Sequence, residues 1–212
     1  MDRQKIGIVT GLNAEAHWLR GTGFMVEVGG GTHEGAKRAA EALIANGAEA
    51  LISFGVAGGL SPALRPGAVL VPKAVIDGGQ IFNCDYLLME FLGGSTGKPI
   101  FAAMRVVETA SDKTLLFQSK NADAVDLESG AVARAAAQRG IPFAVLRAVA
   151  DPAESDLPPA VANAMTSDGR LNLPGVLGSV LRHPGQIKAL MRLGQDAALA
   201  RKALRTRVAS LA

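Results

Sequence analysis

The chain has 212 residues and a mass of 21.8 kDa, enough for one domain with its own hydrophobic core. Hydrophobic residues make up 49% and charged residues 19%, which excludes an intrinsically disordered chain. The single cysteine, Cys84, excludes a disulfide scaffold, and the three histidines lie too far apart for a zinc-ligand motif. No apolar run approaches the roughly 20 residues that span a bilayer. We therefore expect a soluble, cytoplasmic protein that binds no metal.

The net charge of +3 is unevenly distributed along the chain. Seven basic residues and one acidic residue fall between Arg182 and the C-terminus, so this tail carries +6 and the remainder carries −3. A surface that binds nucleic acid would combine basic with aromatic residues, and aromatic residues are only 4% of this sequence. We therefore expect no nucleic-acid partner and attribute the basicity to the tail.

Apolar runs that alternate with helical segments predict the secondary structure in chain order. We expect strands at 6–9, 24–28 and 50–54, a helix at 14–20, a glycine turn at 29–32 that opens a helix to about 46, and a glycine-rich turn at 55–59. Further along, 68–76, 100–107 and 122–125 are extended, 80–98 is less regular, 129–139 is helical and 142–149 is a strongly apolar strand. Continuous apolar strands favour a mostly parallel mixed sheet covered on both faces, which makes the fold a three-layer α/β/α domain spanning 1–212.

The C-terminal part is expected to be helical. Prolines interrupt 151–159 and exclude regular structure there, and helices follow to the end of the chain. The last helix, 186 to about 210 within the basic segment 185–212, carries apolar residues at steps of three and four, which form one face. We expect that face to pack on the body of the protein. Contact with a membrane surface through 186–210 is the alternative, because the helix is basic and amphipathic.

Acidic and glycine-rich segments follow several of the predicted strands. Open parallel sheets bind ligands beyond the carboxyl ends of their strands, so Glu15, Glu128 and Asp151 should lie along one rim with the glycine turns. Few cations accompany them, which favours a neutral, polyhydroxylated ligand. Taken singly, Glu15 and Glu128 could be helix first-turn acids and Asp151 could cap a turn, but burial would raise the pKa of Asp151 and suit it to acid catalysis.

A dinucleotide-binding or flavodoxin-like module is the competing class of protein for such a sheet. It would carry G-x-G-x-x-G directly after the first strand. The sequence has Gly11-Leu12-Asn13-Ala14-Glu15 at that place. We therefore expect no nicotinamide or flavin cofactor.

Three segments between residues 5 and 151 resemble the purine nucleoside phosphorylase and nucleosidase superfamily, and in particular its methylthioadenosine/S-adenosylhomocysteine nucleosidases. These segments are IGIVTGLNAEA, FGVAGGLSPALRPGAVLVP and AVDLESGAVARAAAQRGIPFAVLRAVAD. Within the superfamily the whole chain is most similar to the hopanoid-associated phosphorylases, on the strength of DPAESDLPP and RHPGQIKALMRLGQDAALARKALR. Those proteins are assigned to the removal of adenine from adenosylhopane in hopanoid biosynthesis.

The resemblance implies a role for each candidate residue. Asp151 would be the general acid at the purine N7, Glu15 the base that activates water, and Glu128 the group that holds the ribose hydroxyls, with Leu127 packed under the sugar. Other positions would complete the substrate and nucleophile regions. The substrate set also includes Asp126, Val56, Ala57 and Gly58. The phosphate or nucleophile region consists of Gly30, Gly31 and Thr32.

The resemblance leaves the nucleophile open. The hopanoid branch implies phosphate as co-substrate, so we expect phosphorolysis ahead of hydrolysis. Phosphate would bind backbone N–H groups of the 30–32 turn, with Arg38, Arg65 or Arg147 as a further ligand. Glu15 favours water instead, because a carboxylate repels phosphate. A third possibility is a nucleoside-binding protein without activity. The family also implies a homo-oligomer, expected to be a dimer. A lipid nucleoside would place the protein at the periphery of the inner membrane.

Overall fold

The computed structural model describes residues 2–162, 179, 182 and 184–211. This part of the chain contains one sheet of nine strands with helices packed around it. The helices expected between 163 and 183 lie outside the described residues, apart from two isolated positions. The strands are β1 (Ile6–Thr10), β2 (Met25–Val28), β3 (Ala50–Gly59), β4 (Val69–Leu70), β5 (Ala74–Asp77), β6 (Gln80–Asn83), β7 (Ile100–Ala102), β8 (Ala124–Asp126) and β9 (Phe143–Asp151). The helices are α1 (Asn13–Leu19), α2 (His33–Ala45), α3 (Tyr86–Phe91), α4 (Ala110–Lys120), α5 (Ser129–Arg139), α6 (Pro159–Ala162) and α7 (Ile187–Leu211), with 3-10 turns at Arg3–Lys5 and Pro184–Gln186.

The sheet has the order β2-β1-β3-β8-β7-β5-β6, and β9 pairs with β3 and β4. Five of the pairings are parallel: β1 with β2 and β3, β3 with β9, and β7 with β5 and β8. The pairings β3–β8, β4–β9 and β5–β6 are antiparallel. This arrangement confirms the predicted mixed, mostly parallel α/β fold.

The central strands are buried along their whole length, which explains their continuous apolar sequence. Every residue of β1 and of β9 is buried. Strand β3 runs between β1 and β9 and shares the core with both. Burial on both faces removes the alternation that a solvent-facing strand would show. These strands place their carboxyl ends, and the residues that follow them, at one edge of the sheet.

The glycine-rich segment after Phe54 differs from its prediction as a turn. It continues β3 to Gly59, because both of its edges find partners: 55–58 pair with β9, while Gly58 and Gly59 pair with β8. A register shift between Ala57 and Gly58 marks a bulge at this end. The glycine segment is therefore a strand end inside the sheet and not a loop above it.

Two other regions differ from their predictions. The segment 100–107 forms a strand only as far as Ala102, and 80–98 contains the hairpin strand β6 and the short helix α3. Helix α4 was not predicted at all. Its one buried residue is Lys113, so it shows no apolar stripe from which a helix could be inferred.

Helix α7 buries one face against the body of the protein. Ala200, Leu204 and Val208 are buried, and Arg207 donates a hydrogen bond to the Leu92 carbonyl at 2.8 Å. Exposed apolar side chains occur on the same helix, at Met191 among others. Among the described residues, no helix is both long and apolar enough to cross a membrane.

Candidate active site

A buried arginine gathers carboxylates from the ends of two different strands, β1 and β8. Arg147, in the middle of β9, is 1% exposed. Its Nη2 lies 2.7 Å from Asp126 Oδ2 and 3.2 Å from Glu128 Oε2, and it donates to Ser53 Oγ at 2.8 Å. Burial opposes its charge, but the surrounding carboxylates outweigh that effect and raise the pKa of Arg147. We call Glu15, Asp126, Glu128 and Arg147 the arginine cluster.

Glu15 belongs to this cluster and is the least satisfied of its acids. Helix α1 begins just after β1, which turns Glu15 back towards the strand end. Its Oε2 accepts hydrogen bonds from Thr10 Oγ1 at 2.6 Å and from the Leu12 N–H at 3.1 Å. Its Oε1 is buried and has no hydrogen-bond partner among the described residues. Burial raises the pKa of Glu15, while Thr10 and Arg147 act in the opposite direction.

Glu128 stands at the beginning of α5 and contacts the first glycine turn. Its Oε1 accepts a hydrogen bond from the Gly31 N–H at 3.2 Å. Burial raises the pKa of Glu128 to about 7, against the lowering effect of Arg147 and with further raising by Asp126 and Glu15. A carboxylate therefore already occupies the amino end of α2, where the sequence suggested a phosphate site.

Glycine at 55 is required for the cluster to close. Gly55 has φ +147°, and a methyl group there would lie 2.5 Å from Arg147 Nη1 and 3.1 Å from both oxygens of Glu15. Gly11 likewise approaches Glu128, with a methyl position 3.1 Å from Oε2. Backbone at these two positions thus packs directly on the carboxylates, as the absence of a Cβ allows.

Asp151 pairs with a different cation. It ends β9 beside Gly58, and its Oδ2 lies 2.5 Å from the Nζ of Lys113. Lys113 is 0% exposed, and its ammonium also donates to the Pro152 carbonyl at 3.0 Å and the Ser155 carbonyl at 2.8 Å. Burial raises the pKa of Asp151, Lys113 opposes this, and Asp196 of α7 adds to it.

The two groups are separated by a short stretch of β3. Gly55 touches the arginine cluster and Gly58 touches Asp151. At about 3.3 Å per strand residue, these contacts lie roughly 10 Å apart along the strand. Val56 and Ala57 occupy the interval between them, Val56 half-buried and Ala57 buried. A ribose and a purine ring together have this length.

Two cavities lie near the ends of the strands around this stretch. One of about 300 Å³ is lined by Asp151, the loop 152–158 and residues of α7 that include Lys188 and Arg192. A larger one, of about 950 Å³, lies over the ends of β5 and β7 and includes Val106 and Arg134. Neither lining contains Glu15 or Glu128. Asp151 therefore lines the smaller of these two cavities, and the expectation that the three acids surround one ligand stays a prediction.

The remaining predicted positions fall around these clusters. Asp126 accepts hydrogen bonds from the Ser129 N–H at 3.2 Å and from its hydroxyl. Leu127 is half-buried and packs on the small apolar cluster of Leu60, Ala103, Ala122 and Val125. Gly30 and Gly31 have positive φ and form the turn before α2. Thr32 caps this helix, because its Oγ1 accepts a hydrogen bond from the Gly35 N–H at 3.1 Å.

Sequence reasoning missed one cation, gave another a different role and suggested two more that lie elsewhere. Lys113 was not considered, and nothing in the segment around it marks it as buried. Arg147 was considered only as a phosphate ligand. Its position inside the apolar run FAVLRAVAD was the available signal, because a charge in a buried strand needs a partner. Arg38 and Arg65 are exposed, and Arg65 pairs with Glu154 at 2.7 Å.

Comparisons with known proteins identify the family and support the fold. The family model described as the phosphorylase superfamily matches residues 11–99 and 94–171. Among solved structures, the 5'-methylthioadenosine/S-adenosylhomocysteine nucleosidase of Neisseria meningitidis, in complex with methylthio-immucillin-A, has a TM-score of 0.72 at 18% identity and covers 97% of each chain. The S-adenosylhomocysteine nucleosidase of Streptococcus pyogenes has a TM-score of 0.68 at 18% identity, covering 100% of this chain and 99% of its own.

A third neighbour is a futalosine hydrolase mutant of Helicobacter pylori, with a TM-score of 0.62 at 19% identity, covering 69% of this chain and 89% of its own. Comparison with curated protein sequences finds no match. The chain belongs to the phosphorylase superfamily. It is thus an enzyme of the class that cleaves nucleoside glycosidic bonds, as the sequence predicted.

No group of three or more His, Cys, Asp or Glu residues within the described part of the chain is arranged to hold a metal ion.

Proposed function

We propose that the protein hydrolyses the N-glycosidic bond of a 5'-substituted adenosine and releases adenine. The observation that carries the proposal is the buried Glu15 carboxylate, which has one unpartnered oxygen beside Arg147. Gly55, which contacts Glu15, and Gly58, which contacts Asp151, lie roughly 10 Å apart along β3 by the strand rise. A base at one end and an acid at the other, separated by the length of a nucleoside, suit bond cleavage at the sugar between them.

Each step follows from the groups at the two ends. Glu15 takes a proton from water, whose oxygen forms the new bond to the sugar C1′. The C1′–N9 bond breaks and its electron pair passes to the purine, which Asp151 protonates at N7. A general acid or base of this kind contributes about 10²- to 10⁴-fold in rate. Glu128, ionised, holds the ribose hydroxyls and faces the positive charge that develops on the sugar.

Water suits the arginine cluster better than phosphate does. Three carboxyl groups surround the single guanidinium of Arg147, so its charge is already neutralised. The Gly31 N–H, proposed from the sequence as a phosphate ligand, donates to Glu128 instead. A phosphate dianion would have to approach these carboxylates at close range and in a low-dielectric surrounding, which is repulsive. These contacts support water as the nucleophile in our proposal, ahead of phosphate.

Phosphorolysis of adenosylhopane remains the second candidate. It is supported by the resemblance of 151–159 and of the C-terminal tail to the hopanoid-associated phosphorylases. The half of α7 that lines the cavity at Asp151 carries the cations Lys188 and Arg192 together with Asp196, so this wall of the cavity is charged. In this reading the 5'-substituent is a lipid, and contact of α7 with a membrane would present it.

One assay tests both candidates. Methylthioadenosine, S-adenosylhomocysteine, futalosine and adenosylhopane are each incubated with the enzyme, with and without phosphate, and free base and sugar are identified by chromatography and mass. We expect a free reducing sugar and an unchanged rate when phosphate is omitted. A sugar 1-phosphate formed only with phosphate would establish phosphorolysis. Binding of a nucleoside without release of base from any of the four would show a non-catalytic binding protein.

A further inference from the structure

Lys113 stands out among the charged residues as completely buried on a helix that is otherwise exposed or half-exposed. All three protons of its ammonium have an acceptor: Asp151 Oδ2, the Pro152 carbonyl and the Ser155 carbonyl. These acceptors lie within one short segment, the end of β9 and the first residues after it. A side chain placed in this way spans from α4 to the strand end and ties the two together.

We propose that Lys113 is a positioning residue that acts through Asp151: it fixes the carboxyl group at the strand end and holds its negative charge in the empty site. The inference rests on the proposed function, because it assumes that Asp151 is the group that meets the purine. Lys113 itself contacts no part of the proposed substrate path. The pairing uses Oδ2, and Oδ1 accepts no hydrogen bond from the described residues, so one defined oxygen is left for the ligand.

The carboxyl group of Asp151 is flanked by charges from two sides. Lys113 approaches from α4, and Asp196 faces it from α7. The wall of the adjoining cavity adds Asp156 from the loop after β9, and Lys188 and Arg192 from α7. Of these groups only Lys113 is both in contact with the carboxyl and removed from water. Its charge is therefore the least screened of the four, and it is the main influence that favours ionised Asp151, against burial, which is the larger effect and raises the pKa of that carboxyl group.

This arrangement has a consequence for the pH dependence of the reaction. Asp151 acts as an acid only while it carries a proton, so activity falls as pH rises through its titration. Lys113 favours the ionised form and places that fall at lower pH than burial alone would. Loss of the lysine charge should move the fall to higher pH, and it should also free the carboxyl to rotate.

The test compares K113M, K113R, D151N and the double variant K113M/D151N. K5M is the matched control, since Lys5 pairs with Glu49 at 2.7 Å but at an exposed position before β1. Two readouts are taken: kcat/KM for adenine release against pH, and the ¹³C shift of the Asp151 carboxyl in the empty enzyme, assigned by its loss in D151N. If K113M does not fold, K113Q takes its place, because glutamine removes the charge and keeps a donor for the carbonyls.

We expect K113M to raise the titration midpoint of Asp151 by roughly 1–3 pH units and to shift the high-pH limb of kcat/KM by a similar amount. K113R should keep both near wild type, and K5M should change neither. On the low-pH plateau, where Asp151 is protonated with or without Lys113, K113M should lower kcat by about tenfold in the wild-type background and by much less in D151N, because the carboxyl group is no longer held in place. An unchanged midpoint in folded K113M, or an equal loss in both backgrounds, would overturn the proposal. If no nucleoside is cleaved at all, the proposed function fails, and the carboxyl titration still decides the role of Lys113.

Discussion

The arginine cluster and the Lys113–Asp151 pair are both buried cations with carboxylates at the end of the same sheet, but their charge balance differs. Arg147 is shared by three carboxyl groups, and Glu15 keeps an unpartnered oxygen there. Lys113 has one carboxylate and two carbonyls, so its pair is neutral and its donors are satisfied. An excess of negative charge stabilises the positive charge that develops on the sugar. An acid whose ion pair carries no net charge, and whose position is fixed, suits protonation of the departing purine. The two ends of the proposed nucleoside path are thus distinguished by electrostatics rather than by residue type.

The largest expected effects come from replacing one carboxyl group in each region. Both replacements should lower the rate, and only one should lower the stability. Both Asp151→Asn and Glu15→Gln should lower adenine release by about 10²- to 10⁴-fold, since each removes a proton-transfer group. Asp151→Asn leaves the ammonium of Lys113 without its counter-charge and should reduce the free energy of unfolding by about 3–5 kcal/mol. Glu15→Gln removes an incompletely satisfied buried carboxylate and should leave stability equal or raise it by about 1 kcal/mol. Kinetics and denaturant unfolding measure both.

Equal stability of the two variants would break this comparison. It would show that the Lys113–Asp151 pair is not the tightly coupled unit that the contacts indicate. Activity at the wild-type level in Asp151→Asn would remove this residue from the mechanism altogether.

The close approach at Gly55 provides the next largest effect. Gly55→Ala should cost roughly 2–5 kcal/mol, because the methyl group meets Arg147 and the backbone has a φ of +147°. Displacement of Arg147 should also lower the rate. Gly47→Ala is the matched control, with φ +96° and no atom within 4 Å of the methyl position, so it should cost about 1–2 kcal/mol and leave the rate unchanged. Thermal unfolding and adenine release, measured on both variants, show whether the clash or only the backbone strain matters.

The sequence predicted the elements that bury several apolar residues in a row. It missed the helix that buries a single polar side chain. Strands β1, β2, β3 and β9 were predicted because apolar runs mark them, and α4 was missed because its buried residue is a lysine. The end of β3 was taken for a turn, since glycine-rich sequence alone does not reveal that two neighbouring strands will pair with it.

The carboxylates of the candidate site were predictable and their cations were not. Glu15, Glu128 and Asp151 each follow a strand or start the helix after one, and the rule that parallel strands end at one edge brings them together. Arg147 and Lys113 reach them from the middle of a strand and from a helix face, contacts that depend on tertiary packing. The structure was therefore needed to show that burial raises the pKa of these carboxyl groups while the neighbouring cations lower it.

A smaller effect, specific to the arginine cluster, is expected in the pH dependence of stability. Burial raises the pKa of Glu128 to about 7, so between pH 4.5 and 7 the folded state retains a proton that the unfolded chain has lost. The stability contributed by this group is fully present below pH 4.5 and is lost as pH rises through 7, by up to about 3 kcal/mol. Glu128→Gln should flatten that slope, measured as the free energy of unfolding at several pH values. Glu41→Gln, at an exposed position of α2, should leave the slope as it is in the wild type.

The smallest effects are expected at the exposed arginines once considered as phosphate ligands. The Arg65–Glu154 pair is exposed, so Arg65→Ala should change stability by less than about 1 kcal/mol. Neither Arg65→Ala nor Arg38→Ala should alter the rate of adenine release or its response to phosphate, because both side chains lie away from the contacts around Arg147. Steady-state kinetics across a range of phosphate concentrations measures this. Loss of a phosphate-dependent rate in either variant would place the nucleophile at the surface, and the arginine cluster would then have to be a structural ion network and not the hydrolytic centre.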